Sequence, residues 1–161
     1  MTTPVSPRVA TLGGRILRTR WLVRAPIRLY RARLGMLMGS RMLMLEHTGR
    51  TSGATRYVVL EVFGHPDAST YLIVSGFGER SQWLRNLDAH PHARVWVGSR
   101  RPAPALAERL EATAADAALD DYTRRHVTAW AKLRPVVENT LGRPIERGRD
   151  IPIVALHLQP R

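Results

Sequence analysis

His47-Thr-Gly-Arg-Thr-Ser-Gly-Ala-Thr-Arg56 stands between two runs that read as β-strands, Arg41–Glu46 (RMLMLE) and Tyr57–Phe63 (YVVLEVF). Both runs are rich in apolar residues, and the second adds the β-branched and aromatic side chains that suit a half-buried sheet, so the decapeptide reads as a connection between strands. Gly49 and Gly53 permit positive φ and close backbone approach, which lets N–H groups converge on an anion. Arg50 and Arg56 can each offer forked, charge-assisted donors to a phosphate or carboxylate. The same Thr, Ser and Gly residues also suit a plain polar hairpin turn. The stretch by itself leaves both an anion site and a simple connection open.

Downstream, the strand-like Thr70–Val74 leads into Ser75-Gly-Phe-Gly-Glu-Arg-Ser-Gln-Trp-Leu-Arg-Asn-Leu-Asp-Ala-His-Pro91, and then into the alternating Ala93–Val97. Phe63-Gly-His-Pro-Asp-Ala68 reads as a turn. Ser81 is placed to N-cap a short helix that turns Trp83, Leu84 and Leu87 inward and closes before His90-Pro91. Leu106–Ala112 is expected to be a strand, although its alanines and glutamates would suit a helix. Ala114–Leu133 is expected to be helical, with Leu119, Tyr122, His126, Val127 and Trp130 at helical spacing. Pro135 should interrupt it, and Val136–Leu141 should end at Gly142. Ile153–Leu158 completes six strands. Strands in that order, with helices at the ends and in one long excursion, predict a small mixed barrel of the α+β class and not alternating βαβ units.

Upstream, Ile16, Val23, Ile27, Tyr30, Leu34 and Met38 share one helical face of Leu12–Met38, and Arg20, Arg24, Arg28 and Arg31 form another. Pro26 fits the first turn of a second helix there. Such a basic amphipathic segment, with Trp21 and Tyr30, can lie on an anionic membrane surface or pack across one end of a barrel. Met1–Ala10 is expected to be poorly ordered. The expected division is a disordered 1–11 and a single domain over 12–161.

The 161 residues are enough for one domain with a real core, and 44% of them are hydrophobic. No apolar run approaches the roughly 20 residues of a membrane span, and no signal-peptide pattern is expected. The absence of cysteine excludes disulfides, thiolate metal sites and cysteine nucleophiles, and fits a cytoplasmic protein. The net charge of +12 is carried almost wholly by arginine, with Lys132 the only lysine. Such charge attracts nucleic acid, anionic lipid or a polyanionic coenzyme, and biased codon usage would also produce it. No helix-turn-helix, zinc or aromatic RNA-binding motif accompanies it, so nucleic acid is not an expected partner. The histidines His47, His65, His90, His92, His126 and His157 lack metal-ligand spacing, and no metal is expected. Ser75-Gly-Phe-Gly-Glu lacks the hydrolase elbow, because Ile73 stands two residues before the serine.

Taken in order, Thr48-Gly-Arg, Ser52-Gly, Arg56, the strand pair, Ser75-Gly-x-Gly and Trp83-Leu-x-Asn-Leu-x-Ala-x-Pro91 resemble the deazaflavin (F-420)-dependent nitroreductase family. The resemblance runs from about Leu43 to Val97 and returns at Asp150–Val154. It implies a split β-barrel of about six mainly antiparallel strands with flanking helices. It also implies an oxidoreductase that transfers a hydride between coenzyme F-420 (8-hydroxy-5-deazaflavin) and a small conjugated, quinone or nitroaromatic acceptor. The cofactor carries such a reaction, so no catalytic side chain is singled out.

Carried over by position, Arg50, Thr51 and Arg56 would bind the phosphodiester and glutamate tail of F-420. Val58 and Val59 would lie beside the ring, the backbone of Ser75, Gly76, Phe77 and Gly78 would meet the phosphodiester or ring edge, and Trp83 and Asn86 would order the adjoining helix. Tyr122, His126 and Trp130 would cover the substrate. The chain departs from the family pattern at Thr51 and Gly76, where cations are common, and at Val58-Val59, where proline is frequent. Its loop from Gly78 to Trp83 is short. Arg80 and Arg85 are the candidates to replace the missing cations. These departures keep open a non-catalytic binder of lipid or another apolar ligand; an FMN reductase on the same barrel is a weaker alternative. The expected partners are a small-molecule substrate, a second copy of the chain, and a membrane surface touched peripherally through 12–38.

Overall fold

The computed structural model describes residues 39–160. The expectations for residues 1–11 and for Leu12–Met38, the membrane contact included, lie outside them. Seven strands follow in chain order: β1 (Met42–Thr48), β2 (Thr55–Glu61), β3 (Gly64–Asp67), β4 (Thr70–Val74), β5 (His92–Val97), β6 (Ala103–Arg109) and β7 (Ile153–Leu158). Three α-helices, α1 (Gln82–Ala89), α2 (Ala112–Arg125) and α3 (Val127–Leu141), accompany them, with 3-10 turns at Gly78–Arg80 and Gly148–Asp150.

The strands form one sheet in the order β2-β1-β5-β6-β7-β4-β3, and every neighbouring pair is antiparallel. β2 and β3 lie at opposite edges of that order, yet only Val62 and Phe63 separate them in the chain. The Val62 N–H donates to the Arg41 carbonyl at 2.7 Å, and the Phe63 N–H donates to the Leu72 carbonyl at 2.8 Å. One bent stretch thus joins both edges, and the sheet curls into a half-barrel.

Side-chain alternation assigns the two faces. Leu43 and Leu45, Tyr71 and Ile73, Val95 and Val97, and Val154 and Leu156 fill the barrel, with Trp83, Leu84 and Leu87 of α1 packed among them. Their neighbours Leu72, Ile153 and Ala155 face outward against Ala115, Leu119 and Tyr122 of α2 and Val137 of α3. β4 and β7 are therefore covered on both sides, which accounts for their unbroken apolar runs.

The structure moves several expected boundaries. β3 occupies the expected turn 63–68 and makes the seventh strand. Pro66 is tolerated there because β3 is an edge strand. β6 begins earlier than Leu106 and ends at Arg109, and Ala112 opens α2 instead of closing a strand. The long helix breaks at His126 (φ −131°, ψ 48°), not at Pro135, which lies inside α3. The carbonyl that Pro135 leaves without its helical donor belongs to Ala131, an exposed residue whose carbonyl water can satisfy. Gly142 ends α3 in the left-handed conformation (φ +71°), as expected.

Candidate functional site

The hairpin between β1 and β2 faces α1 across a groove of about 530 Å³, within the usual range for a ligand site. Of the residues expected to bind a cofactor, Arg50, Thr51, Arg56, Val58, Trp83 and Asn86 line this groove. The strands extend into the decapeptide as far as the pairs His47↔Arg56 and Thr48↔Thr55. Inside them the Gly49 N–H donates to the Ala54 carbonyl and the Gly53 N–H to the Gly49 carbonyl, both at 2.8 Å. A Cβ on Gly49 would fall 2.8 Å from Ser52 Oγ and 3.3 Å from the Ala54 carbonyl oxygen. The turn closes around this residue because it lacks a side chain.

Asn86 joins the hairpin to the helix. Its Oδ1 accepts from the Arg50 backbone N–H at 3.1 Å and from Arg50 Nη1 at 2.9 Å. Its Nδ2 donates to His47 Nδ1 at 3.1 Å. Arg50 Nη1 also donates to Gln82 Oε1 at 2.9 Å. Gln82 and Asn86 stand one turn apart on α1, so one face of this short helix grips one arginine. His47 is buried; that burial, and after it the nearby Arg56 charge, push its pKa down to about 4. It is therefore a neutral imidazole at neutral pH.

The two groove arginines differ in what they touch. Arg50 is engaged by Gln82 and Asn86, whereas Arg56 forms no side-chain hydrogen bond or ion pair among the described residues and lies against Gly49. An exposed guanidinium left open beside a glycine turn can offer a forked, charge-assisted pair of donors to an anion. The chemistry of this donor set fits a phosphate- and carboxylate-bearing coenzyme.

The second expected loop is arranged differently. Ser75 Oγ donates to the Gly78 carbonyl at 2.7 Å, and the Ser81 hydroxyl donates to Ser75 Oγ. Ser81 holds the N-cap position of α1 without a side-chain capping bond, because its hydroxyl is used here. A Cβ on Gly76 would lie 3.8 Å from Val137, and one on Gly78 2.7 Å from Leu141, so this loop backs onto α3. Phe77 and Gly78 line a separate cleft of about 600 Å³ together with Arg80, whose Nη2 donates to the Thr140 carbonyl at 2.7 Å. Val59 alternates with Val58 and points away from the groove side of β2. Ser75, Gly76, Phe77, Gly78, Val59, Arg80 and Arg85 thus stand outside the groove lining. Of the two positions where the resemblance leads one to expect cations, Thr51 and Gly76, only Thr51 lines this groove.

The aromatic trio is brought together, away from the groove. Tyr122 is buried and stacks on Phe63 with centroids 4.3 Å apart, Trp130 meets its edge at 6.2 Å, and His126 tilts against it at 4.9 Å. The Tyr122 hydroxyl donates to Glu61 Oε1 at 3.5 Å, and burial, then the Glu61 charge, raises its pKa. His126 lines a third cleft, of about 570 Å³, beside Arg41 and Glu61, the ends of β1 and β2 remote from the hairpin. His47, Tyr57 and Gln82 line the groove although the sequence did not single them out as site residues. For His47 a signal existed, since it continues the inward face of Leu43 and Leu45. Among the described residues no cluster of three or more His, Cys, Asp or Glu could hold a metal, and no helix is long and apolar enough to cross a membrane.

Fold and groove together define a split-barrel protein with an arginine-bearing glycine hairpin set against α1. The model of the F420H(2)-dependent quinone reductase family matches residues 21–157, and the chain belongs to that family. It is accordingly an F-420-dependent reductase, with F-420 as its cofactor. Among solved structures it is similar to an F420-H2 dependent reductase (FDR-A), at 21% identity and a TM-score of 0.52, covering 73% of this chain and 94% of that one. A structure described as a domain-swapped dimer matches at 19% identity and a TM-score of 0.53, covering 87% and 99%. A putative pyridoxamine 5'-phosphate oxidase from Listeria innocua matches at 13% identity and 0.53, covering 82% and 94%. These likenesses speak for the fold. No protein of curated function matches the chain.

Proposed function

We propose that the protein transfers a hydride from reduced F-420 to a small conjugated acceptor of the quinone type, with the coenzyme seated in the Arg50–Arg56 groove. One observation carries this placement: Arg56, a guanidinium with no side-chain partner among the described residues, stands beside a glycine turn and lines a groove of ligand size. When bound, the deazaflavin supplies the hydride chemistry. The chain's own residues bind and orient. Arg56 takes the phosphodiester or a tail carboxylate. Asn86 and Gln82 hold Arg50, so the hairpin is already shaped when the anion arrives. Val58 and Trp83 give the ring end an apolar wall from which water is excluded. The acceptor must touch the ring and so enters the open side of the same groove, while Tyr122, His126 and Trp130 serve the packing beneath α2 and α3. A second copy of the chain belongs to the proposal as a partner, given the domain-swapped dimer among similar folds.

Titration with reduced F-420 while following tryptophan fluorescence tests the placement, because Trp83 lines the groove. Saturable quenching that Arg56→Ala weakens is the expected result. Quenching that is absent at high micromolar coenzyme, or is indifferent to Arg56→Ala, would refute it.

A further inference from the structure

The Asn86 carboxamide has a fixed orientation. Arginine offers only donors, so the oxygen that meets both the Arg50 backbone N–H and Arg50 Nη1 must be Oδ1. The other end of the amide is then a donor, and it faces His47 Nδ1 at 3.1 Å. An imidazole nitrogen that accepts a hydrogen bond carries no proton. A neutral His47 must therefore hold its single proton on Nε2. Asn86 dictates the tautomer, and Arg50 dictates Asn86.

Nε2 has no hydrogen-bond partner among the described residues, while every buried side-chain nitrogen and oxygen there has one. The Nε2–H is therefore not sealed in the core; it opens onto space. His47 lines the large groove beside Asn86, Arg56 and Trp83, and also a smaller cleft of about 160 Å³ behind the strand ends. Its place in β1, in step with Leu43 and Leu45, puts the ring on the inward face toward the groove. The groove is thus lined by a cationic donor at Arg56 and by a buried, neutral imidazole at His47.

We propose that His47 is a ligand-binding residue of the groove, locked by Asn86 as the Nε2–H tautomer so that it donates one hydrogen bond to an oxygen of the bound coenzyme. This rests on the placement of the coenzyme in the groove. A neutral N–H suits an uncharged carbonyl or hydroxyl oxygen, which leaves the ionic contact to Arg56. It also gives the site a reference direction that a flexible arginine cannot supply.

Two substitutions separate the near nitrogen from the far one. His47→Asn keeps an acceptor where Nδ1 stands and removes the distal donor. His47→Gln keeps a distal N–H and removes the acceptor. The expected dissociation constant for reduced F-420 rises about tenfold in His47→Asn and less than about threefold in His47→Gln. In the wild-type protein, the nitrogen-15 spectrum of His47 should show an unprotonated Nδ1 and a protonated Nε2, and coenzyme should move Nε2 and its proton while leaving Nδ1 in place. That measurement decides the matter even if a variant fails to fold. A protonated Nδ1, an Nε2 unmoved at saturating coenzyme, or a His47→Asn protein that binds like wild type overturns the proposal. If Arg56→Ala weakens binding in parallel experiments, only the His47 assignment falls; if Arg56→Ala also binds normally, the groove placement falls with it.

Discussion

A single oxygen of Asn86 accepts both the backbone N–H and the guanidinium Nη1 of Arg50, at 3.1 and 2.9 Å, across 36 residues of chain. A helix side chain thereby fixes the hairpin through its backbone as well as its charge. Asn86→Ala removes these bonds and the one to His47, leaving a buried imidazole nitrogen without its donor. A loss of about 2–4 kcal/mol in unfolding free energy is expected, since bonds to charged groups and stranded partners are the costly ones. Denaturant unfolding measures it, and a change below about 0.5 kcal/mol would show that the hairpin does not depend on this clamp.

Arg50 and Arg56 should respond differently to removal. Arg56 has no side-chain partner among the described residues, so Arg56→Ala should leave stability within about 0.5 kcal/mol of wild type while raising the coenzyme dissociation constant roughly tenfold to a hundredfold. Added salt should weaken the wild type more than this variant, because the lost contact is ionic. Arg50→Ala should lower stability as well as affinity. Calorimetric titration beside thermal melts separates the two. Equal behaviour of the variants would mean that the division of labour between the arginines is wrong.

The local chemistry of this site was legible in the sequence where it depends on near neighbours. Arg50, Arg56 and the glycines mark a candidate anion-binding turn within ten residues, and the alternation of β5 marks its inward face. What escaped depends on distant partners. Gly64–Asp67 reads as a turn and becomes a strand only through pairing with β4. The residues around His126 favour helix on both sides, so the break there is invisible to propensity. Ser75–Gly78 has the composition of an anion cradle, but Ser75 and Ser81 satisfy one another and the loop packs on α3. His47 looked like one scattered histidine because its meaning lies in Asn86, 39 residues away.

Gly148 provides a test of how the loop before β7 is seated. A Cβ there would fall 1.7 Å from the Ala115 carbonyl oxygen, inside α2, where no flexible side chain can give way. Its φ is not in the left-handed region, so the demand for glycine is one of space alone. Gly148→Ala should therefore cost about 1–3 kcal/mol or more through displaced backbone. Arg149, whose carboxylate partner Asp116 is on the same helix, should lose that pairing as the loop lifts. Thermal unfolding of the variant within 2 °C of wild type would contradict the close packing.

The pH dependence of stability carries a signature of His47. Its pKa is about 4 in the folded protein against an ordinary value of 6.5, through burial first and Arg56 second. The unfolded chain thus takes up a proton at a pH where the folded chain refuses it. The neutral ring's contribution is complete above pH 6.5 and is lost as pH falls toward 4, by about 3 kcal/mol at most. The carboxylates with lowered values, such as Asp116 beside Arg149 and Asp150 with its backbone donors, act mainly below pH 5, so a comparison of pH 7 with pH 5 reads mostly the imidazole. Denaturant midpoints at pH 7 and pH 5 should therefore differ more for wild type than for His47→Asn, which has no imidazole to protonate. Parallel falls in the two proteins between those pH values would mean that His47 is not held neutral, and the fixed Nε2–H tautomer would fail with it.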